Sequence, residues 1–182
     1  MARKRTLASP ARLEAWSEGG DLNVVVETPR GSRNKFKFDE ELELYTLAGI
    51  LPAGMGFPYD FGFIPSTLGE DGDPVDVLLL MDEPAFAGCL VPSRLIGVIE
   101  AEQSEDGATA RNDRLLAVAT KSVLYRDVKS ITQLSASLLD EIESFFETYT
   151  RLRGKAFTPL GRSGPDTAKK LVDAGIQAAA AK

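Results

Sequence analysis

The sequence predicts an α+β domain, a barrel or sheet with helices packed on it. From residue 21 to about 120, short apolar or alternating runs are separated by turn residues, as strands require. In the last third, apolar residues recur at helical spacing instead. Strands first and helices last suit a compact core covered on one side by helices. At 182 residues and 43% hydrophobic, the chain can bury that core as one domain over 1–182.

Residues 1–20 read as a loosely attached lead-in that starts basic, at Arg3-Lys4-Arg5. Ser9-Pro10 is placed to cap a short helix carrying Leu13 and Trp16, and Gly19-Gly20 would end it. Barrel strands are expected at 22–27, 34–38, 42–47, 75–81, 90–102 and 115–119. Alternation in Lys35-Phe36-Lys37-Phe38 puts both lysines on one face and both phenylalanines on the other. The polar, acidic stretch 104–113 reads as a hairpin loop. Helices fill 130–182. Leu138, Leu139, Ile142, Phe145, Phe146, Tyr149 and Leu152 form an apolar stripe. Ser137 and Asp140 resemble a capping box, Arg151 and Arg153 suit the dipole's negative end, and Gly154 suits the position beyond it. A second helix starts at Pro165 and carries Leu171, Val172 and Ile176.

A formal net charge of −6 argues against nucleic acid as the main partner. No apolar signal core follows the basic start and no segment has the length of a membrane span, so no membrane partner is expected. The single cysteine, Cys89, excludes a disulfide framework and a CxxC site, and a reducing cytoplasm is the expected compartment. Histidine is absent altogether, which removes Ser-His-Asp and Cys-His mechanisms and the usual zinc sites. Chemistry must then rest on carboxylates, Lys/Arg, Tyr or metal-bound water, an inventory that suits hard-metal phosphoryl chemistry.

Asp71-Gly72-Asp73-Pro74-Val75-Asp76 concentrates three carboxylates on a Gly/Pro-kinked loop that leads into Val77-Leu78-Leu79-Leu80. Like charges so close repel unless neutralised, and a hard divalent cation is the usual neutraliser. On composition alone a solvated acidic turn serves equally well. An EF-hand is excluded, because Asp76 and Val75 stand where glycine and an acid are required. A haloacid-type phosphatase is excluded too, since its strand precedes the acids and here it follows them. Upstream, Glu27-Thr28-Pro29-Arg30-Gly31-Ser32-Arg33-Asn34-Lys35-Phe36-Lys37 ends one strand in an acid and begins the next with lysines. This segment supplies cations for phosphate opposite an acid-bound metal, or is simply an exposed basic hairpin.

Together these segments resemble soluble family I inorganic pyrophosphatases. Asp71-Gly72-Asp73-Pro74-Val75-Asp76-Val77 carries the fingerprint, preceded by Phe57-Pro58-Tyr59-Asp60-Phe61-Gly62-Phe63-Ile64-Pro65-Ser66-Thr67-Leu68. Glu27-Thr28-Pro29, Lys35-Phe36 and Phe145-Phe146-Glu147-Thr148-Tyr149 match as well. The resemblance implies a five-stranded OB-like antiparallel barrel with packed C-terminal helices. It also implies Mg²⁺-dependent hydrolysis of pyrophosphate, with Mn²⁺ as the alternative metal, and a homo-oligomer, hexameric in bacterial members. By position, Asp71, Asp73 and Asp76 would bind metal, with Asp73 also acting as base. Glu27, Lys35 and Tyr149 fall on active-site positions, Glu27 to order water or bind an outer metal. Asn112 or Asp113 would be the surviving further metal ligand, with Asp113 preferred. Lys35, Lys37, Arg114 and Tyr149 would contact phosphate, with Arg30 or Arg33 as further candidates.

Several positions depart from the family pattern. Gly49 stands for an arginine, Lys37 for a glutamate, Phe57 and Phe61 for tyrosines, Gln103 for an aspartate and Thr150 for a lysine. Asn112-Asp113-Arg114 replaces an Asp-x-Lys. A hydrogen bond to a charged group contributes about 1.5–3 kcal/mol, so each loss would slow the reaction roughly 10- to 150-fold. The Lys37 ammonium is expected to fill the space left beside Gly49. Two alternatives to a working pyrophosphatase follow: a weakened or inactive metal- and phosphate-binding relative, or a hydrolase of another phosphoanhydride or phosphate ester.

Overall fold

The computed structural model describes residues 9–181. The basic start at Arg3-Lys4-Arg5 therefore lies outside the described residues. The elements run β1 (Leu22–Thr28), β2 (Asn34–Asp39), β3 (Leu44–Ile50), β4 (Asp60–Phe63), β5 (Asp76–Leu80), β6 (Leu90–Glu105), β7 (Ala108–Arg111), β8 (Arg114–Ala119), α1 (Ala136–Arg151), β9 (Ala156–Ser163) and α2 (Pro165–Ala180). Among the described residues no helix is long and apolar enough to cross a membrane.

Five strands close into a ring. β1 pairs with β4, β4 with β5, β5 with β8, β8 with β6, and β6 returns to β1. Four of these pairings are antiparallel, but β5 and β8 run parallel with Val77 opposite Leu115, which corrects the all-antiparallel expectation. The parallel pair is possible because β6 and β7 supply the long return between the two strands. The far end of β6 extends beyond the ring and pairs with β7 and β9.

Three strands went unpredicted. β4 is four residues long and buried throughout, so it shows no alternation. Its Gly62 is obligatory: a Cβ there would lie 2.1 Å from the Val25 carbonyl oxygen of β1. β9 holds Pro159 and Gly161, which mask a strand signal at a sheet edge. β7 is the second arm of the hairpin inside the expected loop 104–113.

The lead-in forms a single 3-10 turn at Pro10–Arg12, not a helix carrying Trp16. Trp16 bridges to Leu22, and the Asn23 N–H donates to the Ala15 carbonyl at 2.8 Å, so this part is fastened to β1. Ser135 caps α1 by accepting from the Leu138 N–H, while Ser137 lies inside the helix. The capping box sits earlier, where Ser130 and Gln133 close a 3-10 turn.

Besides a small cluster of Val25, Phe38 and Phe63, two large apolar clusters make up the interior. Leu139, Ile142, Phe146 and Tyr149 of α1 join Leu78, Leu80, Ile99 and Leu116 in one. Ala168 and Val172 of α2 join Val24, Val26, Val77 and Leu115 in the other. Each large side chain buried here stabilises the fold by about 1.5–3 kcal/mol. α2 also grips the loop before β5. The Leu68 N–H donates to the Gly175 carbonyl at 3.0 Å, and a Cβ on Gly175 would meet Val75 Cγ2 at 2.9 Å.

Candidate active site

The acidic loop is shaped by its own backbone. Gly72 has φ +85°, a conformation that costs glycine little. The Gly69 N–H donates to the Asp73 carbonyl at 2.7 Å, and the Asp73 N–H donates to Asp71 Oδ1 at 3.2 Å. Thr67 Oγ1 accepts from the Val75 N–H at 3.0 Å, which fixes where the loop enters β5. Across from it, the β2–β3 hairpin is tied to β1 by side chains. The Phe36 N–H donates to Thr28 Oγ1 at 3.0 Å, and the Phe38 N–H donates to Glu27 Oε1 at 2.8 Å.

Between loop and hairpin lies a cavity of about 270 Å³. Glu27, Lys35, Lys37, Asp71, Asp73, Asp76, Arg114 and Tyr149 all line it, joined by Gln103, Asn112, Thr150, Arg153 and Lys155. Eight of the nine residues singled out for the site by sequence therefore converge. Asp113 does not: it accepts from the Ala101 N–H at 2.9 Å and pairs with Arg111 at 2.8 Å, while its neighbour Asn112 faces the cavity. Alternation along the chain into β8 explains the swap, because adjacent side chains point opposite ways. Arg30 and Arg33 are also elsewhere. Arg30 donates to the Asp82 carbonyl and Arg33 to the Leu51 carbonyl. Phe61 lines the cavity, whereas Phe57 packs behind it against Phe145 and Tyr149.

Cations of the chain itself sit on two of the acids. Lys37 Nζ donates to Asp73 Oδ1 at 2.6 Å. Arg114 Nη1 donates to Asp76 Oδ2 at 2.5 Å and also to Asn112 Oδ1. Arg114 is only 4% exposed, its guanidinium stacked 4.9 Å from the Phe146 ring centre. Its Nε is buried without a partner among the described residues. The expected repair of Gly49 by Lys37 does not occur. In the hairpin register Lys37 faces Thr46, while Lys35 faces Gly49. The space beside Gly49 belongs to Arg153, whose Nη1 lies 3.6 Å from where a Cβ would stand.

Arg153 donates to the Tyr149 hydroxyl at 2.6 Å, leaving that hydroxyl's own proton free to be donated. Arg153 does more than complement the negative end of the helix dipole. Its i+4 spacing from Tyr149 was the available signal for a place in the site.

Electrostatics reflect the crowding. Burial pushes Glu27 up to about 7, against the lowering by the Phe38 N–H, with Asp76 raising it further. Burial raises Asp71, and the nearby Asp76 charge adds to it. Burial alone would lower Lys37, but the Asp73 hydrogen bond and charge outweigh it and its pKa is raised. A wider depression of about 820 Å³ shares Glu27, Lys37 and Asp73, but its other charged residues are the acids Glu14, Asp39, Glu40 and Glu41. Phosphate has no cation there beyond Lys37.

The donor set fits a hard divalent cation. Glu27, Asp71, Asp73 and Asp76 surround one cavity, and all four are hard oxygen donors. No soft ligand is present in the cavity. Among the described residues no three acids stand together as a ready-made metal cluster, and Lys37 and Arg114 are paired with Asp73 and Asp76.

The family described as inorganic pyrophosphatase matches residues 24–180. The inorganic pyrophosphatase of a Nostoc species is 39% identical over 168 residues, covering 92% of this chain and 97% of that protein. The Synechocystis inorganic pyrophosphatase is 39% identical over 163 residues, covering 90% and 94%. The crystal structure of inorganic pyrophosphatase from Thermus thermophilus superposes with a TM-score of 0.87 at 31% identity, covering 95% of this chain and 99% of that one.

Proposed function

This chain belongs to the inorganic pyrophosphatase family, and from that membership we propose how its cavity is used. The reaction is hydrolysis of pyrophosphate to two phosphates: water oxygen bonds to one phosphorus as the bridging oxygen departs with the other. A divalent metal is the cofactor, and Mg²⁺ is our assignment, with Mn²⁺ as the substitute. Asp71, Asp73 and Asp76 would hold it, with Glu27 as the outer acid. The chemistry a bound cation supplies is acidification of water and neutralisation of phosphoryl charge.

The side chains divide the remaining work. Asp73 Oδ1 is engaged by Lys37, so Oδ2 is left to take the proton of the attacking water. Lys35 carries no salt bridge among the described residues and lies 5.6 Å from the Tyr149 ring centre, placed to meet phosphoryl oxygens. The Tyr149 hydroxyl donates to the same group. Arg114 contributes charge from behind Asp76, and its buried position makes it an organiser of that acid more than a contact for substrate.

The observation that carries this proposal is the convergence of Glu27, Lys35, Asp71, Asp73, Asp76 and Tyr149 on one cavity from four separate elements and a loop. Phosphate release from pyrophosphate with and without Mg²⁺ or Mn²⁺, in wild type and Asp73→Asn, is the test. Absence of release with either metal overturns it.

One set of contacts favours a slow enzyme over a fast one. The Lys37–Asp73 and Arg114–Asp76 pairs must loosen before the metal binds, which adds a step that free carboxylates lack. Retained metal and phosphate binding without release would identify a binding relative instead. Release from a phosphate ester but not from pyrophosphate would identify another hydrolase. Cytoplasmic location accords with a single free thiol, Cys89, and assembly as a homo-oligomer, hexameric on family grounds, is checked by light scattering.

A further inference from the structure

Two cavity cations differ from the rest in having no ion-pair partner among the described residues. Lys37 is paired with Asp73, Arg114 with Asp76, and Lys155 with Glu105 at 2.6 Å. Among the described residues Lys35 and Arg153 have no carboxylate within ion-pair distance. Both flank the same ring, with Lys35 Nζ and the Arg153 guanidinium carbon 5.6 Å and 5.5 Å from the Tyr149 centroid. Arg153 presents one nitrogen to the Tyr149 hydroxyl and has four further N–H donors with no partner among the described residues. A planar guanidinium with free donors, beside an ammonium and a hydroxyl proton, matches the tetrahedral oxygens of phosphate.

Arg153 reaches this position because Gly49 has no side chain. Its Nη1 sits 3.6 Å from the point where a Cβ would begin, so any longer residue at 49 would compete for the volume the guanidinium occupies. The hairpin register places Gly49 directly opposite Lys35, so the gap opens next to the other unpaired cation. Lys155, just past the helix end, is turned to Glu105 and does not compete.

We infer that Arg153, admitted over Gly49, binds a phosphoryl group of the substrate and forms with Lys35 and Tyr149 the anion-holding wall of the cavity. The inference rests on the pyrophosphatase reading and names a substrate-contacting residue that the family motif does not contain. Arg153 lies two residues beyond the end of α1 and is itself exposed, so its removal empties no buried position.

Calorimetric binding of imidodiphosphate, a non-hydrolysable pyrophosphate analogue, tests it in the Mg²⁺-loaded protein. Arg153→Ala should weaken binding roughly 10-fold or more, with KM for pyrophosphate rising in parallel. Arg153→Lys should restore part of the loss. Gly49→Arg in the Arg153→Ala background should restore binding by filling the same volume from the opposite strand. Tyr149→Phe separates contact from positioning: if Arg153 acted only by orienting the hydroxyl, Arg153→Ala would add no loss to Tyr149→Phe. Unchanged affinity in Arg153→Ala while wild type hydrolyses pyrophosphate overturns the inference and leaves the function standing. Binding without hydrolysis in wild type overturns the proposed chemistry, yet the Arg153→Ala comparison still decides this site. If wild type neither binds nor hydrolyses, both fall.

Discussion

Replacing Glu27 by glutamine should flatten the pH dependence of stability in the metal-free protein. Glu27 is 7% exposed, accepts from the Phe38 N–H at 2.8 Å, and lies near enough to Asp76 to feel its charge. Its pKa is raised from 4.5 to about 7, with burial as the largest cause. The folded state therefore keeps the proton up to about pH 7, whereas the unfolded chain releases it near 4.5. Its contribution to stability is complete below pH 4.5 and is lost as pH rises through about 7. At about 1.4 kcal/mol per pH unit the full effect is about 3 kcal/mol, most of it between pH 5 and 8. Glutamine retains an acceptor for Phe38 but has no proton to lose. Urea unfolding at pH 5 and pH 8 with chelator present measures it. Wild type should lose about 2–3 kcal/mol more than Glu27→Gln over that interval. Saturating Mg²⁺ should shrink the difference, because a bound cation favours the ionised carboxylate. Equal slopes for the two proteins in chelator would refute a buried, proton-holding Glu27.

Other outcomes follow from the same geometry. Lys37→Met removes the ammonium from Asp73. The two side chains are 43% and 52% exposed, so the pair contributes on the order of 0.2–1 kcal/mol and Mg²⁺ should bind up to about 5-fold more tightly by calorimetry. Weaker binding instead would show that Lys37 organises the acid. Gly62→Ala drives a Cβ to 2.1 Å from the Val25 carbonyl oxygen, and its urea midpoint should report a loss of about 3 kcal/mol or no folded protein at all. Phe146→Ala empties a fully buried position and takes away the ring under Arg114, costing about 3–5 kcal/mol by denaturation. A smaller loss would mean that the surrounding cluster closes over the gap.

Where residues act through local chemistry, the chain was legible. The strand pattern, the α1 stripe, the start of α2 at Pro165 and the Gly72 turn depend on spacing and on single-residue conformational limits. Short, doubly buried or edge strands carry no such period, and so β4, β7 and β9 were hidden. Bounds shifted for a related reason: β3 occupies Leu44–Ile50, three residues beyond the expected end, because pairing with β2 continues to Ile50 opposite Asn34.

By itself the sequence determined which chemistry was available: no histidine, a tight acidic loop, lysines on one strand and a tyrosine on an amphipathic helix. Tertiary structure decided which charges meet. It put Lys37 on Asp73 and Arg114 on Asp76, turned Asp113 away while bringing Asn112 in, and laid Arg153 over Gly49. Those outcomes depend on the closure of five strands and the register of one hairpin, which bring residues distant along the chain within about 4 Å. Coulomb energy at that range depends on a separation that no spacing along the chain specifies.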